Sequence, residues 1–132
     1  MREVRASGLE ALGLATQLLQ RARLADPNGG IWEAADVQWW WRPPARSYEH
    51  EQTFWLDGEV PFAAVRATEF RGAWQVDPIL VPGAGLVDEV WERTLAVLDA
   101  LRPDPAGVPV REDDGPMLAR VGTAIAVNPD AR

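Results

Sequence analysis

Three apolar runs in the middle of the chain are separated by gaps so short that they limit how the runs can pair. The runs occupy residues 53–56, 60–68 and 74–81, and they are joined through Asp57-Gly58 and Arg71-Gly72. Connections this short join antiparallel neighbours, because a parallel crossover needs a dozen or more residues. The sequence therefore predicts a three-stranded antiparallel meander with hairpin turns at these two dipeptides.

The third run alternates between two faces. Side chains on alternate positions of a strand point to the same side, so one face carries Trp74, Val76, Pro78 and Leu80, and the other carries Gln75, Asp77, Ile79 and Val81. Proline cannot donate to a strand ladder. Pro61 and Pro78 therefore each indicate a sheet edge, a strand start or a bulge.

Helical patterns flank the meander. Ser7 and Glu10 have the spacing of a capping box before a first helix, which ends at residues 26–30. A shorter helix is predicted over residues 32–42, followed by the prolines at 43 and 44. A strong amphipathic helix follows the loop at residues 82–85, with leucines at helical spacing up to residue 101.

The remaining chain predicts a short strand at residues 108–110, a small helix that opens with Pro116, and a last strand at 123–127. With the segments before them, these elements give the order α-α-β-β-β-α-β-α, followed by the last strand. The 132 residues are therefore expected to form one α+β domain, residues 1–132, with a mixed and mostly antiparallel sheet and helices on both faces.

The composition excludes several classes of function. The net charge is −7, so a basic footprint for nucleic acid is missing. The chain has no lysine, no cysteine and one histidine, which excludes lysine and thiolate chemistry and leaves no set of ligands for zinc. No apolar run reaches membrane-spanning length and no signal-peptide core follows Met1, so we expect no membrane partner, no metal and a cytoplasmic location.

Three segments carry a family resemblance. They are EAADVQWWWR at residues 33–42, FWLD at 54–57 and WQVDPILVPG at 74–83. With the order of elements, they resemble the GNAT superfamily of acyl-CoA-dependent N-acyltransferases, and in particular actinobacterial GNAT-type proteins with one domain or two in tandem. The resemblance covers about residues 8–122. It implies one further N-terminal strand, which residues 2–5 would supply.

The resemblance implies acetyl-CoA as co-substrate. In the family, the loop after the fourth strand and the helix that follows hold the coenzyme pyrophosphate, since unpaired N–H groups and the helix dipole favour an anion. Leu80 stands where the family has Gln or Arg, and Asp88 and Glu89 place negative charge in the first helical turn. The implied cofactor contacts come from the backbone of Ile79, Val81, Gly83, Ala84 and Gly85.

The resemblance also implies catalytic and acceptor residues. Family members use an acid on the fourth strand as a base, which points to Asp77, with Glu69 as a second candidate. Three adjacent indoles cannot share one buried helical face, so at least one of Trp39, Trp40 and Trp41 is expected to be exposed or to line a groove. In the family this second helix borders the acceptor site, so the resemblance implies acceptor contacts from these tryptophans. The alternatives are a turn or bulge role for Asp77, and core packing or an oligomer interface for the tryptophans. Pro78 fits either the splayed fourth strand of the family or an ordinary edge strand.

The expected function is therefore N-acetyl transfer from acetyl-CoA to an unidentified small-molecule amine or peptide. The alternative is a degenerate, non-catalytic GNAT-like module with a binding or oligomerisation role. Leu80, the two acids at 88 and 89, and the lack of a tyrosine in the helix after the fifth strand favour it. The room after residue 122 suits one last strand and not two, and such an open sheet edge would predict a homodimer.

Overall fold

The computed structural model describes residues 1–30, 32–41 and 48–102. These residues form an α+β fold with a four-stranded antiparallel sheet and three helices, and the predicted N-terminal strand is confirmed. The predicted elements after residue 102 lie outside the described residues. The elements, in chain order, are β1 (Arg2–Ala6), α1 (Gly8–Ala25), α2 (Ala34–Trp40), β2 (Gln52–Asp57), β3 (Val60–Phe70), β4 (Ala73–Leu80) and α3 (Val87–Leu101).

The sheet follows the chain, with strand order β1-β2-β3-β4 and every pair antiparallel. The predicted Arg71-Gly72 turn is confirmed: both residues have positive φ, 52° and 79°, as a two-residue turn of the I′ type requires. The other turn lies one residue later than predicted. Asp57 pairs with Val60 and so belongs to the strand, which leaves Gly58-Glu59 as the turn.

The two prolines within the strands occupy positions where the missing N–H does not interrupt the hydrogen bonding between neighbouring strands. The β3–β4 register runs without a shift past Pro78, which lies opposite Val65. Val81 donates its N–H to the carbonyl of Phe62 at 2.9 Å, and bonded positions alternate in an antiparallel pair, so Pro78 turns its nitrogen away from β3. Pro61 lies beside the register shift between β2 and β3. Among the described strands β4 is an edge, and the positions that would decide between the two readings of Pro78 lie outside the described residues.

The sheet separates two apolar layers. Helices α1 and α2 cover one face through Leu18 and Val37, which belong to the same core cluster as Phe54 of β2, while α3 covers the other through Val90 and Leu98. The predicted division of β4 is confirmed for its apolar side chains. Those in the α1 layer are Ile79 and Val81, and those in the α3 layer are Trp74, Val76 and Leu80.

Helix capping differs from the prediction. The Ser7 side chain makes no capping hydrogen bond, so the predicted capping box at this site is wrong. Gly8 adopts a φ of 60° and so departs from the backbone that a helical first position needs. The reciprocal capping box belongs to α2: Glu33 caps the helix, and its N–H donates to Asp36 Oδ2 at 2.8 Å. None of the described helices is long and apolar enough to cross a membrane.

A glutamine side chain extends the sheet at the end of β2. Gln52 is 5% exposed, and its amide accepts the N–H of Ala67 at 2.6 Å and donates to the carbonyl of the same residue at 2.9 Å. The backbone pairing of β2 with β3 ends at Thr53 and Val65. The Gln52 amide thus takes the place of one further peptide unit of β2. It bonds to β3 at the point where β3 continues paired with β4 only.

Replacing Gln52 with leucine leaves the N–H and the C=O of Ala67 without these bonds. Since unpaired buried polar groups cost about 1–3 kcal/mol each, we expect the free energy of unfolding to fall by at least about 2 kcal/mol in urea denaturation. Hydrogen exchange at the Ala67 amide should also accelerate. Gln17→Ala, on the exposed side of α1, is the control and should change stability by less than about 0.5 kcal/mol. An equal effect of both substitutions would contradict the role of Gln52.

Candidate functional site

A cavity of about 450 Å³ opens where β3 and β4 continue beyond β2. Its walls come from the start of α1, from α2 and the residue after it, and from the extended β3–β4 hairpin. The size is in the range of sites for small organic ligands. The hairpin presents two cross-strand pairs to the α1 side, Arg66 with Asp77 and Thr68 with Gln75, and all four residues line the cavity.

Four of the residues that the sequence singled out lie around this one cavity. They are Asp77, Glu69, Trp40 and Trp41. Trp39 does not line the cavity, and its side chain is 65% exposed. The three tryptophans therefore diverge, as their helical spacing requires, and two of the three border the same space as the candidate bases.

Aromatic contacts build one wall of the cavity. The ring of Trp41 stacks on Tyr48 with centroids 4.0 Å apart, and Trp40 meets Phe70 edge to face at 5.8 Å. The hydroxyl of Tyr48 donates to the backbone carbonyl of Trp40 at 2.6 Å. These contacts join α2 to the chain that follows it and to the tip of β3, so the wall connects three parts of the fold.

Asp77 is a buried acid on the cavity floor, 3% exposed. Gln75 Nε2 donates to its Oδ1 at 2.9 Å. Burial raises the pKa of the Asp77 carboxyl above its ordinary value of 3.8, and the Gln75 hydrogen bond, the Arg66 charge and the Trp32 indole act in the opposite direction. A carboxylate with a raised pKa in a cavity is a suitable proton acceptor.

Two further polar groups of the cavity residues are buried without a hydrogen-bond partner among the described residues. They are Trp32 Nε1 and Glu69 Oε2. The Trp32 indole lowers the pKa of Asp77 as a hydrogen-bond donor to its carboxyl, although no acceptor among the described residues lies within hydrogen-bond geometry of the Trp32 N–H. Buried polar groups are usually paired, so unmatched donors and acceptors around one cavity favour a polar ligand.

The bend before α3 is open in part. Ala84 donates its N–H to Val81 at 3.1 Å, and the N–H of Val81 is taken by Phe62, so neither amide is free for a coenzyme. Gly83 and Gly85 have φ values of 82° and 72°, and a Cβ at either would meet nothing within 4 Å. Their N–H groups make no hydrogen bond to another described residue.

The start of α3 adds N–H groups beside this bend. No side chain caps the helix at Leu86, so the first-turn amides stay open to an anion. Asp88 and Glu89 are exposed in the same turn. The bend therefore has room and free donors, while the charge around it opposes a pyrophosphate. Coenzyme binding by residues 79–85 remains a prediction, with Gly83 and Gly85 as its main donors.

Among residues 1–30, 32–41 and 48–102, no group of three His, Asp or Glu side chains is placed to hold a metal ion. His50 packs on Trp74 with centroids 5.0 Å apart, and burial lowers the pKa of its imidazole, with the charge of Glu51 opposing. His50 does not line the cavity. Its role in the described structure is packing against the α3 side of β4.

Sequence reasoning missed Arg66, Gln75, Gln52 and Trp32 as site residues. A signal for Arg66 was present: it and Asp77 stand at equal distances from the Arg71-Gly72 turn, and a two-residue turn places such positions opposite each other. Gln52 and Trp32 had no comparable signal, because they reach the site from other elements. No family model, curated protein or solved structure matches this chain.

Asp77→Asn removes the buried charge and keeps an oxygen that can accept from Gln75. Because the pKa of Asp77 is raised in the folded protein, the unfolded chain releases this proton at lower pH. The wild-type free energy of unfolding, relative to that of Asp77→Asn, should therefore fall as pH rises from 3.8, and level off above the folded pKa. Urea denaturation at several pH values measures this difference.

The control is Asp57→Asn, which removes one negative charge at an exposed position of β2. A wild-type stability that increases relative to Asp77→Asn as pH rises would contradict a raised pKa of Asp77 in the folded protein.

Proposed function

We propose that this chain is a GNAT-like N-acetyltransferase domain that binds its amine acceptor in the cavity beside Asp77. The observation that carries the proposal is the meeting of Asp77, Glu69, Trp40 and Trp41 around one cavity of about 450 Å³. These residues come from α2, β3, β4 and the position after α2, so their meeting is a property of the fold and not of local sequence. The family resemblance had assigned them to the acceptor site and to the base.

The antiparallel meander supports the GNAT-like arrangement. In that arrangement the fourth strand leads directly into a bend and a helix N-terminus, as β4 leads through residues 81–86 into α3. The positions expected to pair on the far side of β4 lie beyond residue 102, outside the described residues. The α+β fold is therefore an observation, whereas the GNAT-specific arrangement is part of the proposal.

Asp77 has the surroundings that a base for amine acylation requires. An amine arrives as an ammonium ion, and it must lose a proton before its nitrogen can attack a carbonyl carbon. The Asp77 carboxylate takes that proton, and burial favours its protonated form. Acetyl-CoA, when bound, supplies the acyl group as a thioester, whose C–S bond breaks as the N–C bond forms. Gln75 holds the Asp77 carboxylate in place through Oδ1.

The alternative of a non-catalytic module is favoured by the bend. Two of its amides are already engaged, and two exposed acids flank the helix start. Such a module would bind a ligand in the cavity without binding the coenzyme.

Acetyl-CoA binding separates the two possibilities. At 100 times its dissociation constant, acetyl-CoA should add about 2.7 kcal/mol to the free energy of unfolding, a rise in Tm of the order of 10 °C. Gly83→Glu should abolish this rise, because it places a carboxylate at the proposed phosphate site. Differential scanning fluorimetry with acetyl-CoA measures both.

Gly58→Glu is the matched control. Gly58 also has positive φ, at 60°, and also has open space around it, but it lies in the β2–β3 turn. It should carry a similar strain penalty and keep the acetyl-CoA effect. A wild-type protein with no shift at millimolar acetyl-CoA would rule out the transferase and leave the non-catalytic module.

Substitution of the two acids identifies the base. Asp77→Asn should lower kcat/KM for CoA release by about 10²-fold or more, measured with a panel of small primary amines and short peptides. Glu69→Gln should change it by less than about tenfold. The wild-type rate should rise with pH through the raised pKa of Asp77, and this limb should be lost in Asp77→Asn. A large loss in Glu69→Gln alone would assign the base to Glu69 instead.

A further inference from the structure

Arg66 is a cation beside Asp77 in the cavity. It lies on β3 directly opposite Asp77, it is half-buried, and it lines the cavity. Its charge interacts with that of Asp77, but no hydrogen bond or ion pair joins it to another described residue, and Asp77 Oδ1 is held by Gln75. The five N–H donors of its guanidinium are therefore not taken by hydrogen bonds to the described residues.

The side chain of Arg66 suits a carboxylate in this position. Burial lowers the pKa of Arg66, with the Asp77 charge opposing. The planar fork of arginine matches a carboxylate through two parallel hydrogen bonds. A carboxylate in the cavity would therefore bind donors that no hydrogen bond to a described residue occupies.

The same cavity holds groups that suit a cation. Asp77 and Glu69 line it, and the faces and edges of Trp40, Trp41 and Tyr48 form its aromatic side. Ammonium groups are attracted to carboxylates and to aromatic faces. A simple anion would be repelled by the two acids, and a simple cation would be repelled by Arg66. The charges together suit a ligand that carries both signs.

We propose that the cavity recognises a small zwitterion of the amino-acid class, with its carboxylate on Arg66, its amino group at Asp77 and an apolar or aromatic side chain against Trp40 and Trp41. This deepens the proposed function, on which it rests for the identity of the amine as the acetyl acceptor. Recognition itself requires no coenzyme, so the two ideas can be tested apart.

Three related probes isolate the two charges. Phenylalanine carries both, 2-phenylethylamine lacks the carboxylate, and 3-phenylpropionate lacks the amino group. Because a hydrogen bond to a charged group contributes about 1.5–3 kcal/mol, wild-type protein should bind phenylalanine at least about tenfold more tightly than either of the others. Isothermal titration calorimetry without acetyl-CoA measures the affinities, and leucine with 3-methylbutylamine repeats the comparison for a smaller side chain.

Arg66→Gln should remove the preference for phenylalanine over 2-phenylethylamine, by weakening phenylalanine and not the amine. Arg66→Lys keeps the charge and loses the planar fork, so it should keep part of the preference. Arg71→Gln is the matched control, since Arg71 also lines the cavity but is exposed at the β3–β4 turn, and it should keep the preference. Circular dichroism and Tm confirm that each variant is folded.

The zwitterion proposal is overturned if 2-phenylethylamine binds as tightly as phenylalanine, if Arg66→Gln keeps the full preference, or if neither amino acid binds at millimolar concentration. Acetylation assays then separate the two ideas. Amino-acid binding without acetyl transfer would contradict the transferase function and support the zwitterion site. Acetyl transfer to 2-phenylethylamine with no preference for phenylalanine would support the transferase function and contradict the zwitterion site.

Discussion

The register of the β3–β4 hairpin is the constraint on which the site depends. The Arg71-Gly72 turn, with both φ values positive, fixes Arg66 opposite Asp77 and Thr68 opposite Gln75. A slip of one residue in β4 would send its whole set of side chains to the other face. Asp77 would then lie in the α3 layer, and the cavity would lose its acid.

The hairpin forms a cavity because β2 is too short to accompany it. Pairing of β2 with β3 ends at Val65, and the Gln52 side chain then serves Ala67 in place of a further backbone pair. Beyond this point the hairpin has no neighbouring strand on its β2 side. Helix α2 and its aromatic side chains enclose the space, which leaves a pocket and not a filled core.

The polar groups around this pocket make it unlike an ordinary core defect. A structural core would pair or exclude a half-buried arginine, a buried acid and an indole N–H. Here Asp77 is buried with a raised pKa, and Arg66 and the Trp32 N–H have no hydrogen-bond partner among the described residues. Polar groups enclosed without full hydrogen bonding are unfavourable for folding. Where a protein retains such groups, they mark sites where a ligand provides the missing contacts.

The sequence by itself determined the meander, the face alternation of β4 and the divergence of the tryptophans, because turn length and side-chain period are local properties. The N-terminal strand was expected only from the family resemblance. The sequence prediction placed the β2–β3 turn one residue too early, because Asp57 pairs with β3 in the folded protein. It also predicted a cap on the first helix that does not form, because Gly8 adopts a backbone conformation with positive φ. Tertiary structure alone decided that residues from α2, β3 and β4 share one cavity. It also decided that Arg66 lies beside Asp77 there without a hydrogen bond to another described residue, because burial and pairing depend on elements far apart in the chain.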